Sequence, residues 1–213
     1  MFDSMTQIRR LTDSCLLVTT EEEATLFDPG FHTFLDGDVD LDSIGDVTRV
    51  LVTHEHGDHV HPDFIKWLID RKSDLVVHSN QAVADLLQNH DIEVSTDVPD
   101  GVGVEDVLHE KLPNGAQPPN RSFTIEGVLT HPGDSHQPTK TAPILALPMI
   151  APWGSLTAAV EFARRIGPDQ VFMIHDFYMS ESGRSRIRGM AKGALATDGI
   201  ELLDVDWGES FSV

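Results

Sequence analysis

The chain has one cysteine and one tyrosine, and only 15 lysines and arginines against 35 aspartates and glutamates. It also lacks any long apolar run. Each shortage excludes something. A lone cysteine, Cys15, can form neither an intramolecular disulfide nor a multi-cysteine zinc site. Its place in the apolar run SCLLV points to a buried structural thiol. A formal net charge of −20 repels phosphate backbones and anionic lipid, so neither nucleic acid nor a membrane is an expected partner. No stretch approaches the roughly 20 apolar residues of a transmembrane helix. Residues 1–18 show no basic region followed by an apolar stretch and a cleavage site. No signal peptide is therefore read, and the cytoplasm is the expected compartment. What remains is a globular composition, 40% hydrophobic and 23% charged, in 213 residues, which fits one domain spanning 1–213.

Along that domain, the first quarter reads as strands. QIRRL, SCLLVTT and EATLFDPG are short and β-rich, with polar turns between them. VTRVLVTH has the continuous apolar centre of a buried strand. Pro62 opens a helix, PDFIKWLIDRK, and Asn80 caps another, NQAVADLLQNH, after the strand DLVVHS. Between Ser95 and Arg121 the chain is rich in Pro, Gly and Asn, with one strand, GVEDVLHE. RSFTIEG and VLTHPGD form a strand pair, and PILALPM and DQVFMIHD are strands on either side of the helix SLTAAVEFARRIG. A last helix, Ser182 to Leu195, precedes a short terminal strand, IELLDV. Strand-rich and alternating segments together suggest an α/β fold of two sheets with helices outside. Histidines and acids recur where strands end, as in a site built on one rim of a sheet scaffold.

The densest of these points is LVTHEHGDHVHP. His54 and His56, two apart in an extended segment, can point the same way and grip one cation. Asp58 and His59, a turn further on, can face a second. Gly57 is expected to relieve the backbone where the chain curls between the pairs. Imidazole with carboxylate favours zinc, with iron, manganese or nickel as alternatives.

With this cluster, the segments TLFDPG, HPGDS and VFMIHD make the chain resemble the metallo-β-lactamase superfamily over nearly its whole length. Within it, the chain most resembles compact single-domain metal-dependent hydrolases related to ascorbate-6-phosphate lactonase. The resemblance implies an αββα sandwich with two divalent metal ions along one edge. It implies His54, His56 and one further histidine on the first ion, and Asp58, His59 and a late histidine, His175, on the second. Asp134 would bridge the two. For the remaining histidine, His78, His90, His109, His131 and His136 are all candidates. His109 ends its strand one strand pair before Asp134, where the family places this ligand, and is preferred. Asp28 would orient ligands from behind and His131 would pack beside the site. His136 and Trp153, with His61 and Asp176, are candidates to line the pocket.

Two such cations can generate hydroxide near neutral pH, with Asp58 orienting it or shuttling its proton. The expectation is a binuclear metal-dependent hydrolase acting on an ester, lactone or phosphodiester of a small, anionic molecule, with Zn2+ preferred. The cations would draw an anion despite the acidic exterior. An iron-dependent oxidoreductase or dioxygenase on the same fold is the first rival. A non-catalytic metal-binding protein is the second.

Overall fold

The computed structural model describes residues 6–36 and 39–213. Residues 1–5, where the segment read for a signal peptide begins, lie outside the described residues. Two mixed six-stranded sheets with helices between their strands make up the fold. They belong to two compact units, one running up to Pro99 with Val205–Val213 added, the other Asp100–Asp204.

In the first unit the sheet order is β12-β1-β2-β3-β4-β5. Strands β1 (Gln7–Arg10), β2 (Leu16–Thr19) and β3 (Ala24–Phe27) form an antiparallel meander. Thr20 closes its second turn, accepting from the Glu22 and Glu23 N–H groups. Strands β4 (Arg49–Leu51) and β5 (Val76–His78) add on in parallel, as the intervening helix requires. Helix α1 (Phe31–Leu35) is a single short piece. Helix α2 (Pro62–Arg71) starts on its proline and turns Phe64, Ile65 and Leu68 inward. Helix α3 (Gln81–Gln88) is capped by Asn80, whose Oδ1 accepts from Val83 N at 3.1 Å. Leu17, Leu26, Val50, Phe64, Ile65, Val83 and Leu87 share one buried cluster. Burying each such side chain stabilises by roughly 1.5–3 kcal/mol.

The second unit has the order β11-β10-β9-β8-β7-β6. Strands β6 (Val102–Leu108), β7 (Pro119–Ile125) and β8 (Leu129–His131) are antiparallel. From β8 through β9 (Ile144–Pro148), β10 (Gln170–Ile174) and β11 (Glu201–Leu202) the sheet is parallel. Every residue of β9 is buried, which accounts for its unbroken apolar run. Helix α4 (Leu156–Ile166) starts at Ser155, whose hydroxyl accepts from Ala158 N, and stops at Gly167 with φ of 67°. Helix α5 (Glu181–Ala196) is capped by Ser180. Leu145, Leu147, Ala159, Phe162, Ala163, Met173 and Leu195 pack together here.

The expected elements are present, with one correction at the end of the chain. IELLDV is not the terminal strand: β12 (Ser210–Ser212) follows it and pairs antiparallel with β1. Its sequence, SFS, is too short and polar to show strand periodicity. Among the described residues no helix is long and apolar enough to cross a membrane.

Candidate metal centre

The first unit's donors sit on the loop leaving β4, and that loop is anchored on both sides. Ser79 Oγ donates to Val52 O at 2.6 Å and Asn80 Nδ2 to Thr53 O at 3.2 Å. On the other side, Phe31 N donates to Gly57 O and His61 N to Pro29 O, both at 2.9 Å. The DPG turn packs so tightly that a Cβ on Gly30 would lie 1.7 Å from Asp58 O. Only glycine fits there. Gly57 has a different role from the one expected. Its φ is not positive, and a Cβ there would meet the Phe31 ring at 3.3 Å, so the glycine supplies room rather than backbone freedom.

Asp28, fully buried and held at φ of 44°, organises the donors from behind. Its Oδ1 accepts from Thr53 N at 2.7 Å, and its Oδ2 from Thr53 Oγ1 at 2.8 Å and from His59 Nδ1 at 2.7 Å. Because the threonine proton goes to Asp28, Thr53 Oγ1 accepts from His54 Nδ1, 3.0 Å away. Both rings are thereby fixed as the tautomer with a lone pair on Nε2, the orientation that outer partners impose on metal-ligating histidines. His54 Nε2 and His56 Nδ1 stand 3.0 Å apart. Nitrogens sharing one zinc, each about 2.0–2.1 Å from it, stand roughly 3.3 Å apart. Within this unit, His54 and His56 bring ligand atoms within 4.8 Å of one another, and so do Asp58 and His59. His54 and His59 are fully buried, whereas the Asp58 side chain is 20% exposed and 4.0 Å from His59 Nε2. His61 packs on the Phe34 ring and precedes α2.

The second unit gathers its donors from three separate strand ends. His109 follows β6, and its Nδ1 donates to Glu110 O at 2.6 Å, so in the neutral ring the lone pair is on Nε2. That lone pair lies 3.3 Å from Asp134 Oδ2. An imidazole nitrogen and a carboxylate oxygen at that spacing are donor types that can share one cation. His175, at the end of β10 with φ of 59°, brings its Nε2 to 3.1 Å from the same oxygen. Trp153 Nε1 donates to it at 3.0 Å. The Asp134 backbone is held on both sides, its N–H by Asn120 Oδ1 and its carbonyl by Glu110 N. Gly133, at φ of 61°, makes the turn that aims it. His109 and Asp134 bring ligand atoms within 4.8 Å of one another.

The remaining candidates lie close by in other roles. His131 Nδ1 accepts from Gly133 N at 3.1 Å, which stabilises the turn before Asp134. His136 is stacked on Phe162, with its Nε2 3.1 Å from Pro148 O. Burial lowers its pKa, and since a carbonyl oxygen can only accept, Nε2–H is the donor. Asp176 is buried, with Arg184 Nε 4.0 Å away. Thr53 and Asn120 escaped the sequence reading. Thr53 had a signal, its position directly before the first histidine, whereas Asn120 lies in a Pro- and Asn-rich segment with none.

The donor chemistry of both clusters, imidazole nitrogens and carboxylate oxygens 3.0 to 4.0 Å apart, fits divalent metal ions. Comparison with known proteins agrees with that reading. A family model described as the metallo-beta-lactamase superfamily matches residues 9–61. Protein Rv0786c of Mycobacterium tuberculosis is 26% identical over 207 residues, covering 90% of this chain and 94% of that protein. A solved structure from Parabacteroides distasonis superposes with a TM-score of 0.75 at 22% identity, covering 95% of this chain and 93% of the other. Igni18, a metallo hydrolase from the archaeon Ignicoccus hospitalis, superposes with a TM-score of 0.73 at 13% identity over 99% of both chains. The segment matched by the family model runs from β1 through the histidine cluster, and the fold over the rest of the chain is the one these solved structures have.

Proposed function

We propose that the protein is a binuclear metal-dependent hydrolase. In this reading His54, His56 and His109 would hold one ion, Asp58, His59 and His175 would hold the other, and Asp134 would be shared between them. Support comes above all from one observation: His109 Nε2 and His175 Nε2 converge on the same carboxylate oxygen, Asp134 Oδ2, at 3.3 and 3.1 Å, donor types and spacings suited to divalent cations. Bound divalent cations supply Lewis acidity, lowering the pKa of water toward neutrality and polarising the scissile oxygen. The protein's own groups do the rest. Asp28 and Thr53 lock the ring orientations, so the ligand nitrogens need no rearrangement. Asp58, a partly exposed carboxylate of the loop, orients the attacking water and takes its proton.

Zn2+ is the preferred metal, from the histidine-rich donor set. The substrate proposed is a small anionic ester, lactone or phosphodiester, with the cytoplasm as the compartment. The hydrolase name of the Ignicoccus relative supports the reaction class. The test is a panel of chromogenic esters, lactones and phosphodiesters, offered to the metal-reconstituted and the chelated protein. Chelator-sensitive turnover of one class supports the reading. Full metal loading without any turnover favours a non-catalytic metal protein, and two bound irons with oxygen uptake favour an oxidoreductase.

A further inference from the structure

Trp153 stands among the second unit's donors and is not one of that unit's apolar core residues. The turn Ala151–Gly154, closed by Gly154 N donating to Ala151 O at 3.1 Å, holds it directly before the cap of α4. Three imidazoles meet its ring edge-on: His109 at 5.5 Å and 73°, His175 at 5.5 Å and 75°, and His136 at 5.6 Å and 68°. The packing aligns its Nε1–H on Asp134 Oδ2 at 3.0 Å. Tryptophan suits that position chemically, because the indole N–H is a donor only, its nitrogen lone pair being tied up in the aromatic ring. It can hold a carboxylate oxygen and cannot compete for a cation. A phenylalanine would fill the same space without fixing the carboxylate.

We infer that Trp153 is a positioning residue for Asp134, setting the rotation of its carboxylate and through it the affinity of the centre for divalent metal. The inference rests on the metal centre proposed above. Removing an outer hydrogen bond to a ligating group typically weakens metal binding about 10- to 100-fold.

The test is a Zn2+ titration against a chromophoric chelator, with Co2+ absorption as a second probe of the ligand field. Trp153→Phe is expected to bind Zn2+ about 10- to 100-fold more weakly and to shift the Co2+ d–d bands, with an unchanged circular dichroism spectrum. Equal affinity and an identical Co2+ spectrum would overturn the inference and leave the hydrolase reading standing. Absence of metal binding by the parent protein would overturn both. A second measurement keeps Trp153 in place and removes Trp67 and Trp207 by W67F and W207F. The remaining indole emission is expected to shift on Zn2+ addition, because its acceptor becomes a ligand. An emission unmoved by saturating Zn2+ would count against the role.

Discussion

The two units carry donor clusters of opposite construction. In the first, His54, His56, Asp58 and His59 come from one loop, and a single buried carboxylate, Asp28, organises them through Thr53 and His59. In the second, His109, Asp134 and His175 come from three separate strand ends. Each is supported by something different, a backbone carbonyl, an asparagine with an indole, and a left-handed backbone conformation. A loop cluster concentrates its dependence in the turn behind it. A dispersed cluster spreads it over the sheet. Each unit places one non-glycine residue of its cluster at positive φ, Asp28 in the first and His175 in the second. Such conformations cost of order 1–3 kcal/mol and persist where surrounding contacts over-determine them.

The comparison can be broken most sharply at Asp134, which alone among the second unit's donors approaches both histidines. Asp134→Ala is expected to lower hydrolysis by more than about 100-fold, since losing a direct ligand exceeds the loss of an outer partner; steady-state rates on whichever substrate class responds would check it. Asp28→Asn comes next. The amide cannot accept as the carboxylate does, and metal affinity should fall about 10- to 100-fold, measured by chelator competition. If Asp28→Asn costs no more than an exposed substitution, the loop does not depend on a single organiser and the contrast between the units fails.

Gly30→Ala tests the turn itself. The added methyl collides with the Asp58 carbonyl, and overpacking of this kind costs about 1–3 kcal/mol in denaturant unfolding. Smallest is an effect remote from either cluster. The hydrogen bond from Arg164 holds the Asp198 carboxyl below its usual value of 3.8. A depressed carboxylate contributes stability that is complete above the unfolded value and lost as pH falls through the folded one. Asp198→Asn should therefore flatten the acid limb of the stability profile below pH 3.8 and leave the shape above it unchanged, as read from urea midpoints across pH.

The same contrast explains what was legible in the sequence. The loop donors occupy adjacent positions after a buried strand, so their spacing could be read directly, and Asp28 lies in a recognisable DPG turn. Elements with strong periodicity, such as α2, α4 and β9, were equally plain. The second unit's donors are each a single histidine or aspartate at a strand end, and only the resemblance to a family drew them together. His109 and His131 could not be separated by residue type. What separates them is orientation, with His109 Nε2 facing Asp134 while His131 Nδ1 accepts from Gly133. Asn120 and the β12 strand left no mark, because one hydrogen bond and three paired residues carry no periodic signal.

The central claim is that these donors hold two metal ions, and elemental analysis of protein purified without added metal or chelator tests it most directly. Two divalent ions per chain are expected in the parent protein, and fewer in Asp134→Ala under the same conditions. A parent protein that binds no metal even after reconstitution would contradict the claim.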